Sequence, residues 1–202
     1  MKALAVLAAF VLFLLAACTP AHAPPAQCEK RVRQIFHADT DFTVNERAAL
    51  VAGADDLLGF TAGQVHQTLF FDLDFGSTSS VVAQSRAPML VRTQSWTLPT
   101  QAVDARMSKR HGRPVHVWAW TMPEPVVRVF MVVDRIPAES FRYIAAHELA
   151  HAAGFAFPGC DPALEDCDHV SDPGSIMAPA YRGARSFSQH DLALCRASCL
   201  CP

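Results

Sequence analysis

The sequence predicts an α+β domain in which several short strands are combined with three helices. Three observations support this. Thr43-Val44-Asn45-Glu46 fits a capping box, with apolar residues recurring behind it at helical spacing. Leu69, Phe71, Leu73 and Phe75 alternate with Thr68, Asp72 and Asp74, the period of a strand with one buried face. From Pro137 the period turns helical again and runs to Gly154.

In chain order, Val44, Ala48, Val51, Ala54 and Leu58 line one face of a helix over 44–58, and Gly59 follows it. The alternation through Phe75 gives the first strand. Residues 81–92, 115–120 and 126–133 are read as further strands from their β-branched content. Between these, 99–113 is polar and basic around Lys109-Arg110-His111-Gly112-Arg113, and reads as a solvated loop. The second helix spans 137–154, with Pro137 at its first position and Gly154 placed to end it. An irregular stretch with cysteines follows to about Ser186. A last helix begins at Ser188 with Asp191 in its first turn. No internal repeat or second domain boundary is evident, so 28–202 is read as one domain.

The chain has 202 residues, 51% of them hydrophobic, with a formal charge of −2. Every residue from 1 to 17 except Lys2 is apolar, and the remainder has an ordinary globular composition. No later apolar run reaches the roughly 18 residues of a membrane span, which excludes a polytopic membrane protein. The near-neutral charge argues against a nucleic-acid partner, which needs a basic face. Lys2 and the apolar run behind it form a secretory signal over 1–17. Its end, Leu15-Ala16-Ala17-Cys18, resembles a bacterial lipobox, which implies cleavage before Cys18 and lipid on its sulfur. A plain signal cut after Ala17 or Ala23 is the alternative. Residues 18–27 then comprise the lipidated cysteine and a proline- and alanine-rich spacer. The expected location is the bacterial cell envelope, exported and lipid-anchored at the outer membrane or periplasmic face.

Seven cysteines are present. With Cys18 lipidated, six remain for disulfides, the usual state of exported cysteines. Cys160 and Cys167 close a short proline-containing loop and form the expected pair. Cys28 then pairs with Cys195, Cys199 or Cys201 and ties the chain ends together. A zinc cluster built from those last three is the competing reading.

The chemistry centres on His147-Glu148-Leu149-Ala150-His151 within the second helix. Residues 147 and 151 lie one turn apart, so both imidazoles leave the same face and can hold one ion. Glu148 beside them can reach a water on that ion. With nine histidines in the chain, chance yields this pattern in roughly one such sequence in a hundred, so it is not background. The alternative is a core helix with two satisfied histidines. A catalytic zinc site needs a third protein ligand and an open position. The residues themselves leave Asp161, Glu165, Asp168, His169 and His190 as contenders.

The run from His147 to Gly154 resembles the start of the metzincin signature, HExxHxxGxxH, and Asp168-His169 through Met177-Ala178-Pro179 resembles the matrixin stretch from third histidine to Met-turn. The likeness covers roughly 137–192. It departs from the signature where the third histidine is expected, because that position is Phe157. The resemblance therefore implies an insertion over 156–167, stapled by Cys160–Cys167, that returns His169 to the zinc. It further implies a twisted mixed sheet with an active-site helix, a Met-turn and a C-terminal helix. The implied zinc ligands are His147, His151 and His169, with Glu148 as general base and Met177 as a structural floor. A strand edge above the site pairs with substrate, and 115–120 is the expected edge. Trp118 and Trp120 contact substrate or pack in the core, and Tyr181 lines the pocket or lies on the surface.

The activity implied is zinc-dependent hydrolysis of peptide bonds by a monomer acting on a peptide or protein substrate, held to the membrane through its N-terminal lipid. Two other readings stand beside it. One is a non-catalytic zinc-binding or structural lipoprotein that retains the fold. The other is a HExxH amidase acting on cell-wall peptides.

Overall fold

The computed structural model describes residues 30–74, 87–122, 126–157, 167–180 and 182–202. The signal, Cys18, Cys28, the spacer and Cys160 lie outside the described residues, as do Phe75, Asp161, Glu165 and Tyr181. Ten elements are ordered β1 (Val32–Asp39), α1 (Val44–Phe60), β2 (Val65–Leu73), β3 (Met89–Thr93), α2 (Leu98–His111), β4 (Ala119–Met122), β5 (Arg128–Val132), a 3₁₀ turn (Ala138–Ser140), α3 (Phe141–Ala153) and α4 (Gln189–Ala197). They form an α+β fold around a five-stranded sheet of order β2-β1-β3-β5-β4. Neighbouring strands run parallel except at β4, which is antiparallel to β5 and forms one edge. The edge strand therefore lies at the end of the 115–120 region, and the 126–133 strand sits inside the sheet. No helix among the described residues is long and apolar enough to cross a membrane.

α1 forms as its sequence predicts. The Thr43 side chain accepts from Glu46 N and the Glu46 carboxylate accepts from Thr43 N, completing the capping box. Arg92 on β3 also donates to Glu46, through Nε at 3.1 Å and Nη2 at 3.2 Å, so the same carboxylate ties the helix start to the sheet. α1 packs on α3 at Gly53. A β-carbon built there would lie 2.7 Å from the Arg142 carbonyl oxygen and 3.0 Å from Ala146 N, closer than real side chains allow. The core lies between these helices and the sheet, around Phe36, Leu50, Leu57, Met131 and Leu149, each fully buried.

Three expectations need correction. The stretch read as a loop over 99–113 is the helix α2. Proline stands in its first turn, Gly112 ends it in the left-handed region at φ 63°, and Lys109, Arg110 and His111 occupy the last turn, where cations oppose the helix dipole. Thr100 is the one buried residue of this helix, so no apolar stripe announced it. The strand expected from 115 starts at Ala119, because Ser108 Oγ and Asp104 Oδ1 of α2 bind the amides of Val115 and Val117. β1, absent from the sequence reading, is a central strand. Its inward positions include Gln34, whereas Ile35 beside it is 53% exposed, so the hydrophobic alternation is inverted there.

Candidate metal centre and its supports

α3 begins with the 3₁₀ turn after Pro137, so proline precedes the helical residues and does not form part of them. It ends at Gly154, whose φ of 93° favours glycine and whose N–H returns to the His151 carbonyl. Two glutamines of the sheet secure its last turn. Gln67 Nε2 donates to the Leu149 carbonyl at 2.9 Å and to Gln34 Oε1 at 2.8 Å, while Gln34 Nε2 donates to the Ala152 carbonyl at 2.8 Å. The Ala152 carbonyl is among those that a helix end leaves without an intrahelical partner, and Gln34 supplies one.

Beyond Gly154 the chain leaves at Phe157 and comes back at Cys167. The Phe157 amide donates to the Cys167 carbonyl at 2.7 Å, so the two ends of the excursion meet. His169 follows two residues later. The expected pairing of Cys160 with Cys167 lies partly outside the described residues, though Cys167 is disulfide-bonded. Cys195 pairs with Cys201, and Cys199 is also disulfide-bonded, which overturns the alternative of a zinc cluster from these three. The Lys30 amide donates to the Cys199 carbonyl at 3.0 Å, joining the start of the domain to its end.

His147, His151 and His169, the set that the resemblance implies, lie together, with candidate ligand atoms all within 4.8 Å of one another. Their arrangement suits a cation. The Nε2 atoms of His151 and His169 lie 2.9 Å and 3.3 Å from that of His147. His147 Nδ1 donates to the Ile176 carbonyl at 2.6 Å, which places the ring proton there and leaves Nε2 a bare lone pair. Asp168 faces the Nδ1 atoms of the other two rings, at 3.3 Å from His151 and 3.0 Å from His169. Neither contact is aligned as a hydrogen bond, but a carboxylate there favours a proton on each Nδ1. Three lone pairs then converge with no donor between them. A tetrahedral zinc with Zn–N of about 2.0–2.1 Å spaces its nitrogen ligands about 3.3 Å apart, close to what is seen. Burial, then the charge of His169, lowers the His147 pKa to about 4 against the pull of the Ile176 carbonyl. Burial and the two neighbouring histidines lower His151 as well. The neutral form that binds metal is therefore favoured at both.

Asp168, a contender for third ligand, faces the outer nitrogens of two rings, and His190 is paired with Asp172 at 2.9 Å. Glu148 is buried beside the cluster. Burial pushes its carboxyl up to about 7, against a hydrogen bond of 2.7 Å from Thr121 Oγ1 on β4 to Oε2. Met177 is fully buried in the core. Trp120 stacks on Phe130 with ring centroids 4.5 Å apart, and Trp118 is partly buried against the core, so both pack in the domain.

By sequence Asp191 is only a first-turn acid of α4. The structure adds a second role. It is fully buried and accepts from Ser188 N at 2.6 Å, Met177 N at 3.1 Å, Ile176 N at 3.3 Å and the Ser175 hydroxyl. The carboxylate that caps α4 thus holds the turn whose carbonyl orients His147. Its spacing from Ser188 was a visible signal for the cap, but nothing in the sequence placed residues 175–177 beside it.

No protein-family model and no curated protein matches this chain. Solved structures with similar folds include metalloproteinase-II from Bacteroides fragilis, at 11% identity and TM-score 0.47, covering 87% of this chain and 55% of that one. High choriolytic enzyme 1, a hatching enzyme zinc-protease from Oryzias latipes, matches at 12% identity and TM-score 0.44, over 89% of this chain and 98% of that one. Myroilysin matches at 14% identity and TM-score 0.43, over 91% and 88%. The chain thus spans about half the length of the first of these. At identities of 11–14%, the chemistry has to be read from the site itself.

Proposed function

We propose that this chain is a zinc-dependent metalloendopeptidase of the metzincin kind. The observation that supports it most is the convergence of three imidazole lone pairs from α3 and the following loop, with a buried carboxylate on the same helix. His147, His151 and His169 would hold a zinc ion, which would supply Lewis-acid charge to a carbonyl and to water. Glu148 accepts a proton from the attacking water and delivers it to the departing amine. Its burial disfavours the carboxylate, which makes that carboxylate a stronger base near neutral pH. Met177 is structural, filling the core under the turn. A peptide or protein substrate pairs in extended form with the outer edge of β4. The chain acts as a monomer, without nucleic acid, at a bacterial envelope membrane, anchored by lipid on Cys18.

The test is metal content together with cleavage of a broad peptide library. One zinc per chain and chelator-sensitive cleavage are expected. Glu148→Ala should keep the metal and lose at least about 100-fold in rate, while His169→Ala should lose both. A zinc-loaded wild type that cleaves nothing would sink the peptidase reading. His169→Ala retaining zinc and activity would overturn the ligand set. Palmitate labelling that survives Cys18→Ser would overturn Cys18 as the lipid site, and an unlabelled wild type would remove the anchor.

A further inference from the structure

The edge strand is joined to the active-site helix by one side chain. Thr121 Oγ1 lies 2.7 Å from Glu148 Oε2 and 3.1 Å from the Glu148 backbone carbonyl oxygen. A hydroxyl has one proton to donate, and the shorter contact to the carboxylate takes the larger share of it. Among the described residues no other hydrogen bond reaches this carboxylate. Glu148 is only 5% exposed, so it lacks the bulk water that would otherwise solvate and orient it. Position 121 is well anchored. It pairs with Val129, a fully buried residue of β5, and among the described residues β4 forms the edge of the sheet.

We infer that Thr121 is a positioning residue for the general base, holding Glu148 Oε2 so that Oε1 remains free to take the proton. The inference rests on the peptidase reading and deepens it. A glutamate has three side-chain torsions, and a base must lie within hydrogen-bond reach of the proton it removes. A hydroxyl on a paired strand that bonds Glu148 Oε2 removes that freedom. The ordinary alternative is that Thr121 is a β-branched strand residue chosen for packing. The two differ in what valine does, because valine keeps the shape and strand preference of threonine and loses only the donor.

The experiment compares Thr121→Val and Thr121→Ser with wild type, each loaded with zinc, using a fluorogenic peptide drawn from the cleavage screen. Thr121→Val should lower kcat about 10- to 100-fold, the range for a lost hydrogen bond to a charged group. KM should stay within about twofold, zinc content should be unchanged, and Thr121→Ser should recover most of the rate. A second readout needs no turnover. In protein labelled with ¹³C in the glutamate carboxyl, the Glu148 signal, assigned through Glu148→Gln, should move in the valine variant and not in the serine variant. A wild-type kcat in Thr121→Val, or equal losses in both variants, would overturn the inference alone. An unmoved Glu148 signal would overturn the contact itself. A wild type that binds zinc and cleaves no peptide overturns the peptidase reading instead, and is recognised before any variant is compared.

Discussion

Asp168 stands between two rings of the histidine cluster, with one oxygen 3.3 Å from His151 Nδ1 and the other 3.0 Å from His169 Nδ1. A ligand histidine depends on what faces its far nitrogen, since that partner selects the tautomer and makes the near nitrogen a better donor. One carboxylate does this for two of the three rings, while the Ile176 carbonyl does it for His147. Asp168→Asn retains the shape but not the charge, and its amide nitrogen would face ring N–H groups. Zinc affinity should fall about 10- to 100-fold, read by competition with a chromophoric chelator. Unchanged affinity would leave Asp168 as a solvated neighbour. The sequence named this aspartate as a possible ligand, and only the folded chain shows that it faces the outer nitrogens.

At the scale of elements, the position of β4 depends on α2, the helix that the sequence concealed. Asp104 on α2 accepts from Arg135 Nη1 at 3.0 Å and Nη2 at 2.7 Å and from Val117 N at 2.9 Å, and Arg135 Nη1 also donates to the Val117 carbonyl. This clasp joins α2, the approach to β4 and the turn after β5. Burial raises the Asp104 carboxyl, but the Arg135 hydrogen bonds, the Val117 amide and the Arg135 charge outweigh it and hold the pKa below 3.8. A folded-state pKa below the unfolded one stabilises the fold at pH above the unfolded value, and that stabilisation disappears as pH falls through the folded value. Asp104→Asn should therefore cost about 1–3 kcal/mol at pH 7 in urea unfolding, and the gap from wild type should narrow below pH 3.8. A gap that is the same at pH 7 and pH 3 would show that the ionised clasp is not what stabilises this corner.

For the whole molecule, the cluster bridges two parts of the chain, since His147 and His151 come from α3 and His169 from the loop after the excursion. A metal bound there stabilises only the folded state, so zinc at about 1,000 times its Kd should raise the unfolding free energy by about 4 kcal/mol. Thermal melts with zinc and with chelator should differ accordingly, and His169→Ala should abolish the difference. Equal melts for the metal-loaded and chelated wild type would mean that the cluster holds no metal.

What was legible follows from the range of the interactions. Helices α1, α3 and α4 were readable because a capping box, a terminal glycine and an apolar period are local, decided within a turn or two of chain. The pair His147 and His151 was readable for the same reason, being one helical turn apart. β1 was not, because Gln34 is an inward residue whose partners are Gln67 and the Ala152 carbonyl, far away in sequence. Nor was α2, whose polar surface left only its capping residues as a signal. By itself, then, the sequence determined the α+β class, three of the four helices described and the residue types able to hold a metal. The tertiary structure decided that Phe157 and Cys167 meet so that His169 closes the cluster, that Asp191 fixes the turn behind His147, and that Thr121 reaches Glu148. Those three joins are hydrogen bonds between segments distant along the chain, and no local pattern encodes which distant partner a buried polar group will find.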